Sequence, residues 1–318
     1  MNLSQKEKYR QLSETESSIH LPARGWWLDA VAGVDNWDVA IVEKNEEIVA
    51  ALPYILVQKA WFKIIKMPKL TPGLGLWLKY PDGQKYATKL AYEMKLIDEL
   101  IDQLPHFHRF HQRFHHGFTN WLPFFWRGFE QTTRYHYIIP DLSDIKIVFN
   151  NFRDNVRREI RKAQKSLKIT SGNDVDKLYD LINLTYARQN LPVDFSKNVL
   201  RNIVNACDQR SCQKIFFAED SDGNLHASLI LVWDENMAYY LQGGNHPDLR
   251  NSGAASLVMW EAIQFASTVT QQFNFAGSMI PSIERFFRGF GATQVPYFSI
   301  YKNNLFFKLW QTFFRENK

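Results

Sequence analysis

Two cysteines, Cys207 and Cys212, are all that the 318 residues contain, so the chain is neither a disulfide scaffold nor a cysteine-ligated zinc module. A reducing cytoplasm is the compartment this usage implies. No apolar run approaches the ~20 residues that span a bilayer, and the polar start MNLSQKEKYR does not read as a secretory signal. No H-x-x-x-H pair comes with a nearby carboxylate. The run containing His106, His108, His111, His115 and His116 therefore reads as a polar strand face beside Phe107, Phe110 and Phe114, and no metal is expected. Excess charge is small. A net charge of +5 permits an anionic ligand without requiring one, while 45 % hydrophobic and 15 % aromatic residues suffice for a sizeable core, and the length suits two domains.

What the chain does have is an internal echo. In Phe273–Tyr301, Ile283, Phe286, Phe287 and Phe290 fall at i, i+3, i+4 and i+7, giving a helix with one apolar face, ended by Gly289 and Gly291 and followed by a strand. Subtracting 161 lands on Leu122, Phe125, Trp126 and Phe129 at the same spacing, and Arg288-Gly289-Phe290 pairs with Arg127-Gly128-Phe129 (288−127 = 161). Upstream, Ala40-Ile41-Val42-Glu43 with Ile48 and Ala50 resembles Phe217-Ala218-Glu219 with Leu225 and Ala227, at an offset of 177 (227−50). The chain reads as two copies of one α/β unit. The first copy is longer by loop insertions.

In the first copy, Trp37–Glu43 and Glu47–Val57 form a hairpin, and Gln84–Leu104 has helical spacing. In the second, Phe149–Ser171 opens with a helix carrying an apolar stripe beside Arg153, Arg157, Arg161 and Lys165. That basic row is either a solvated helix face or a phosphate-binding ridge, Arg157 and Arg161 being suited to bidentate bonds to phosphate oxygens. A further helix ends near Tyr186, Arg188 and Gln189. Strands Lys214–Glu219, His226–Trp233 and Met237–Gln242 make an antiparallel meander closed by Gly243-Gly244-Asn245.

Next comes Arg250-Asn251-Ser252-Gly253-Ala254-Ala255, between a strand and an apolar helix. A glycine-centred loop there is either an ordinary turn or an anion cradle, in which backbone N–H groups and the helix dipole hold a pyrophosphate. Arg250-x-x-Gly253-x-Ala255 matches the Q/R-x-x-G-x-G/A loop of the GNAT acetyltransferases. Together with Asn155–Lys165, Thr185-Tyr186-Ala187-Arg188-Gln189, and Phe275-Ala276-Gly277-Ser278 followed by Ile283…Phe286…Phe290-Gly291-Ala292, the second half resembles the FemAB-like branch of that superfamily.

The resemblance implies an α/β (mixed α+β) fold of two tandem GNAT-like domains, each a twisted, mostly antiparallel sheet flanked by helices. The expected domains are 1–148 and 149–304, with a helix at 305–315 packed on the first. The implied activity is N-acyl transfer from acyl-coenzyme A to an amine acceptor of cell-envelope biosynthesis, a small-molecule or lipid-linked precursor, in the cytoplasm or at a membrane periphery. The alternatives are an aminoacyl-tRNA-dependent Fem-type peptidyltransferase and a non-catalytic binding protein. Phe287 stands where Fem peptidyltransferases carry a lysine, which leans the donor towards a thioester. The implied donor residues are Arg250, Ser252, Gly253, Ala254 and Ala255. On the acceptor side stand Arg188, Tyr240, Gly243, Gly244, Asn245 and Ser278. Tyr240 and Glu219 are candidates for proton transfer, and Glu284 reads better as the i,i+4 partner of Arg288.

Overall fold

The computed structural model describes residues 3–308 and 310. They divide into two compact units, Met1–Arg134 with Pro296–Lys318, and Tyr135–Val295. Each is a mixed sheet flanked by helices.

The first unit begins with α1 (Gln5–Thr15) and α2 (Gly25–Ala32), followed by β1 (Asp38–Lys44), β2 (Glu47–Lys59), β3 (Phe62–Lys66) and a short β4 (Trp77–Leu78). Then come α3 (Tyr86–Asp102), β5 (Arg109–Arg113) and α4 (Leu122–Trp126). The β1–β2 hairpin forms at the charged turn expected for it, with Asn45 and Glu46 both at positive φ, the backbone shape that suits a two-residue hairpin loop. Residues 48–55 of β2 are all buried because helices cover both sheet faces. On one face Leu96, Ile97 and Leu100 of α3 pack with Phe110, Phe114 and Phe124; on the other Tyr9 and Leu28 pack with Val39, Ile41 and Ala51. In β5, Phe110 and Gln112 point inward while Arg109, His111 and Arg113 alternate outward, the polar-face pattern read from the histidine run. Among the described residues, no group of histidine, cysteine and carboxylate side chains is placed to hold a metal ion.

The second unit contains the end of β6 (Glu130–Ile139), then α5 (Ile145–Asn150), α6 (Asp154–Ala163), β7 (Lys168–Ser171), α7 (Val175–Ala187) and α8 (Lys197–Asp208). The meander β8 (Gln213–Glu219), β9 (Leu225–Trp233) and β10 (Met237–Asn245) follows, then α9 (Ala254–Ala266), β11 (Gln272–Asn274) and α10 (Pro281–Arg288). Its strands lie in the order β6-β11-β10-β9-β8-β7, antiparallel except for the pair β10–β11. Leu229, Leu231 and Ala238 face α6, α9 and α10 in one core, joined by Phe152, Ile160, Trp260 and Phe287. Cys207 and Cys212 are buried and form no disulfide, and the Cys212 thiol donates to the Cys207 carbonyl at 3.4 Å.

The echo is real in three dimensions. Both hairpins carry a bulge before a glutamate: Val42 faces Ala50 and Glu43 faces Ile48, as Ala218 faces Ala227 and Glu219 faces Leu225. The one parallel step also recurs, β3 beside β5 and β10 beside β11. One detail of the alignment shifts, since the left-handed glycine after the helix is Gly128 in the first copy and Gly291, not Gly289, in the second.

The last strand, β12 (Thr293–Asn303), explains why the units do not follow the repeats. Its residues 299–303 pair with β5 of the first unit, while Ile138 and Ile139 of β6 pair with β11 of the second. The final strand of each copy is built into the other unit, so the division falls at residues 134 and 295 and not near 148. Residues 305–308 begin a helix whose cap is Asn304, with Phe306, Phe307 and Trp310 placing their rings 5.1–5.7 Å from Phe62. The expected helix reaches residue 315, and positions 309 and 311–315 lie outside the described residues.

Candidate active site

In the second unit the two parallel strands part after a short run. Met237, Ala238 and Tyr239 pair with Gln272, Phe273 and Asn274, after which β11 ends while β10 continues alone beside β9. At that fork β10 bulges: Tyr240 faces Leu231 and Gln242 faces Ile230, leaving Leu241 with no residue opposite. A bulged residue steps out of the ladder, which frees backbone polar groups at the point where the strands diverge. Gly243, Gly244 and Asn245 continue the strand, a correction to the reading that the strand stops at Gln242.

Tyr240 is partly buried at the fork, its ring 5.8 Å from that of Phe287. A Cβ on Gly243 would stand 2.9 Å from the Tyr240 hydroxyl, so the glycine leaves room for it. Burial raises the phenol pKa well above its ordinary value, helped by neighbouring Tyr186, and the group stays protonated at neutral pH. It can donate a proton or hydrogen bond. It is unsuited to act as a base.

Gly244 and Asn245, two of the residues expected on the acceptor side, lie at the far end of β10, where α7 packs so closely that a Cβ on Gly244 would lie 2.2 Å from the carbonyl carbon of Leu181. Thr185 seals this contact through both backbone groups of Asn245. Arg188, the C-cap of α7, is exposed and makes no ion pair among the described residues. Ser278 is engaged locally, its hydroxyl accepting the Ile280 N–H at 3.1 Å, in a turn where Ala276 and Gly277 both have positive φ. Glu219 is elsewhere. Tyr240 faces Leu231, which faces Lys214, and Glu219 lies five residues beyond, about 10 Å across the strands and about 16 Å along them.

On the donor side, Gly253 caps α9 in the left-handed conformation. The α9 N-terminus is formed by Ala254, Ala255 and Ser256; Ser252 takes the Ala254 N–H at 3.3 Å, and Leu257 is the first to bond back, to Gly253. Two cations flank this loop: Lys162 donates to the Asn251 carbonyl at 3.3 Å, and Arg250 is exposed. Small residues, free helix N–H groups and cations fit a phosphate group. Two features modify that fit. The space facing Gly253 is occupied by α6, with a Cβ there only 2.7 Å from the Glu159 carbonyl oxygen, so the glycine is required for packing whatever it binds. The Glu159 carboxylate also accepts from the Ser256 hydroxyl at 2.7 Å, placing negative charge at the helix end.

The arginine row on α6 is mostly committed. Arg157 binds Asp154 and the Asn150 carbonyl, and Arg161 lies over the Phe149 ring. Glu284 is likewise tied, to Arg288 at 2.6 Å and to the Tyr137 hydroxyl at 2.8 Å; these bonds, the arginine's first, hold its pKa below the usual range. Phe287 fills the place of the Fem lysine, packing against Phe275 and Tyr240. Sequence reading missed the bulge at Leu241 and the role of Glu159, because both depend on which chain segment lies opposite.

The first unit repeats the strand pair without the site. Its β2–β3 ladder runs without a register shift, and the short glycine loop is replaced by the excursion 67–85. Fork, bulge and glycine-capped helix all belong to the second unit. Residues 150–275 match the sequence model of the acetyltransferase (GNAT) domain family. No curated protein sequence matches the chain. In structure it is similar to FemX, with 11 % identity, 98 % of each chain covered and a TM-score of 0.70. It is also similar to the C-terminal domain of the Agrobacterium fabrum protein assigned as a lysylphosphatidylglycerol synthetase (10 % identity, 97 % and 96 % covered, TM-score 0.58) and to a tandem GNAT protein from the clavulanic acid biosynthesis pathway (10 %, 93 % and 92 %, 0.52). The chain has a tandem GNAT-type fold.

Proposed function

We propose that the protein is an N-acyltransferase moving an acyl group from acyl-coenzyme A to the amine of a cell-envelope precursor. The observation that carries this reading is the bulge at Leu241, at the fork of β10 and β11, with the hydroxyl of the preceding Tyr240 lying against Gly243 of the same strand. An amine nitrogen attacks the thioester carbonyl carbon; the oxyanion takes the backbone N–H at Leu241, and the tetrahedral adduct collapses by breaking the C–S bond. Tyr240 gives its proton to the leaving thiolate, and the proton lost by the amine passes to water. The donor's pyrophosphate rests at Ala254, Ala255 and Ser256 with Lys162 and Arg250 beside it, and the acceptor's anionic group meets Arg188. An aminoacyl-tRNA donor fits less well, because Phe287 supplies an apolar ring where a cation would steady the RNA end.

The test is paired. Acetyl-coenzyme A binding is measured by calorimetry, and thiol release with an amine acceptor by a thiol-reactive dye, for the parent and Tyr240→Phe. The reading expects micromolar to millimolar donor binding in both proteins, and a loss of turnover of about 100-fold in the variant. A parent protein that binds no coenzyme A thioester sinks it.

A further inference from the structure

One end of the first unit has a composition unlike the rest of the chain. At the tip of the β2–β3 hairpin Trp61 is 84 % exposed, more than any other large apolar residue described, although burying an indole is among the larger gains open to a side chain. Next to it, Phe62 gathers the rings of Phe306, Phe307 and Trp310, each within 5.7 Å. Phe307 is buried by this contact, whereas Leu305 and Phe306 remain 73 % and 61 % exposed. A tryptophan, a phenylalanine and a leucine thus stand out from one small area.

The charge on the hairpin that carries Trp61 has one sign. From Ile48 to Pro81 there is no acidic residue, while five lysines occur. Of these, Lys59, Lys63 and Lys66 are exposed on the same two strands and have no ion-pair partner among the described residues. Arg109 adds a guanidinium 5.8 Å from the Phe307 ring. Lys308 is the exception, being paired with Glu130.

Protein interfaces deplete lysine at their apolar centres, and nucleic-acid surfaces do not call for an exposed leucine. Projecting tryptophan, phenylalanine and leucine ringed by lysines is the chemistry of the bilayer interface, where rings enter the headgroup layer and ammonium groups meet lipid phosphates. We propose that this end of the first unit seats on an anionic lipid bilayer, with Trp61, Leu305 and Phe306 entering the interface and Lys59, Lys63 and Lys66 facing the phosphates. The contact is peripheral, since no helix among the described residues is long and apolar enough to cross a membrane.

Co-sedimentation of the full chain with vesicles tests it, using phosphatidylcholine alone and phosphatidylcholine mixed with phosphatidylglycerol. The parent should bind the mixed vesicles, more weakly as salt rises. Trp61→Ser with Phe306→Ser should lower that affinity about tenfold or more, and Lys59→Glu with Lys63→Glu should abolish the preference for the anionic vesicles. All four side chains are exposed, so the fold is retained, which circular dichroism checks. No binding to either vesicle, undiminished binding by the aromatic variant, or capture of the patch by single-stranded RNA in place of vesicles would overturn the proposal.

Discussion

The Thr185 hydroxyl accepts the backbone N–H of Asn245 at 2.7 Å and donates to the carbonyl of the same residue at 3.2 Å. One side chain of α7 thereby satisfies both backbone groups of Asn245, the last residue of β10 in the ladder, which stands opposite Ala227. Thr185→Val keeps the shape and removes both bonds, leaving two backbone groups unpaired. It should cost about 1–3 kcal/mol, seen as a lower urea midpoint with unchanged slope. If this clamp also positions the acceptor, kcat/KM for the amine falls while donor affinity holds. An unaltered urea midpoint would show that the two bonds are not maintained in solution.

The carboxylate of Glu159 opposes an anion at the α9 N-terminus while bonding to Ser256. Glu159→Gln removes the charge and keeps an acceptor for the hydroxyl, so coenzyme A should bind several-fold more tightly, and Lys162→Glu should weaken it by a similar factor. Calorimetry at low salt resolves both. Binding that moves in the opposite direction in either variant would place the pyrophosphate away from this helix.

Arg188 is exposed with no ion-pair partner described, beside the clamp that joins α7 to β10. Arg188→Lys should raise the apparent KM for an anionic acceptor or lower kcat/KM, about tenfold, because an ammonium does not reproduce a bidentate guanidinium contact. Donor affinity should be unchanged. A change confined to the donor would assign Arg188 to the other half of the site.

His20 stacks on His115 with ring centroids 4.6 Å apart, and its Nε2 is buried without a partner. Burial, with the neighbouring His116, pushes its pKa down to about 4. Below its unfolded pKa of about 6.5 the unfolded chain binds a proton that the folded ring refuses, so stability falls as pH drops from about 6.5 to about 4 and levels off below that. The loss should be on the order of 3 kcal/mol, and His20→Gln should flatten this part of the melting-temperature profile. A profile as steep in the variant as in the parent would assign the loss to other groups.

Local pattern was enough for the hairpins, α3, the amphipathic α10 and the glycine loop before α9, because alternation, 3.6-residue spacing and turn residues act within a few positions of the chain. It was also enough for the duplication, whose mark survives as Glu43 with Ile48 and Ala50 against Glu219 with Leu225 and Ala227. What depends on long-range pairing was not legible. Nothing in Tyr135–Ile139 or Ser299–Asn303 says that each strand joins the sheet of the other copy, so the boundary near 148 followed chain order where the hydrogen bonds do not. The site divides the same way. Gly244 and Gly253 stand out by type, but only packing shows that one makes room for Leu181 and the other for Glu159, and that Tyr240 comes to a bulge while Glu219 ends five residues and two strands away. A sequence records which residues can make a contact; which contact is made is decided when distant segments compete for the same space.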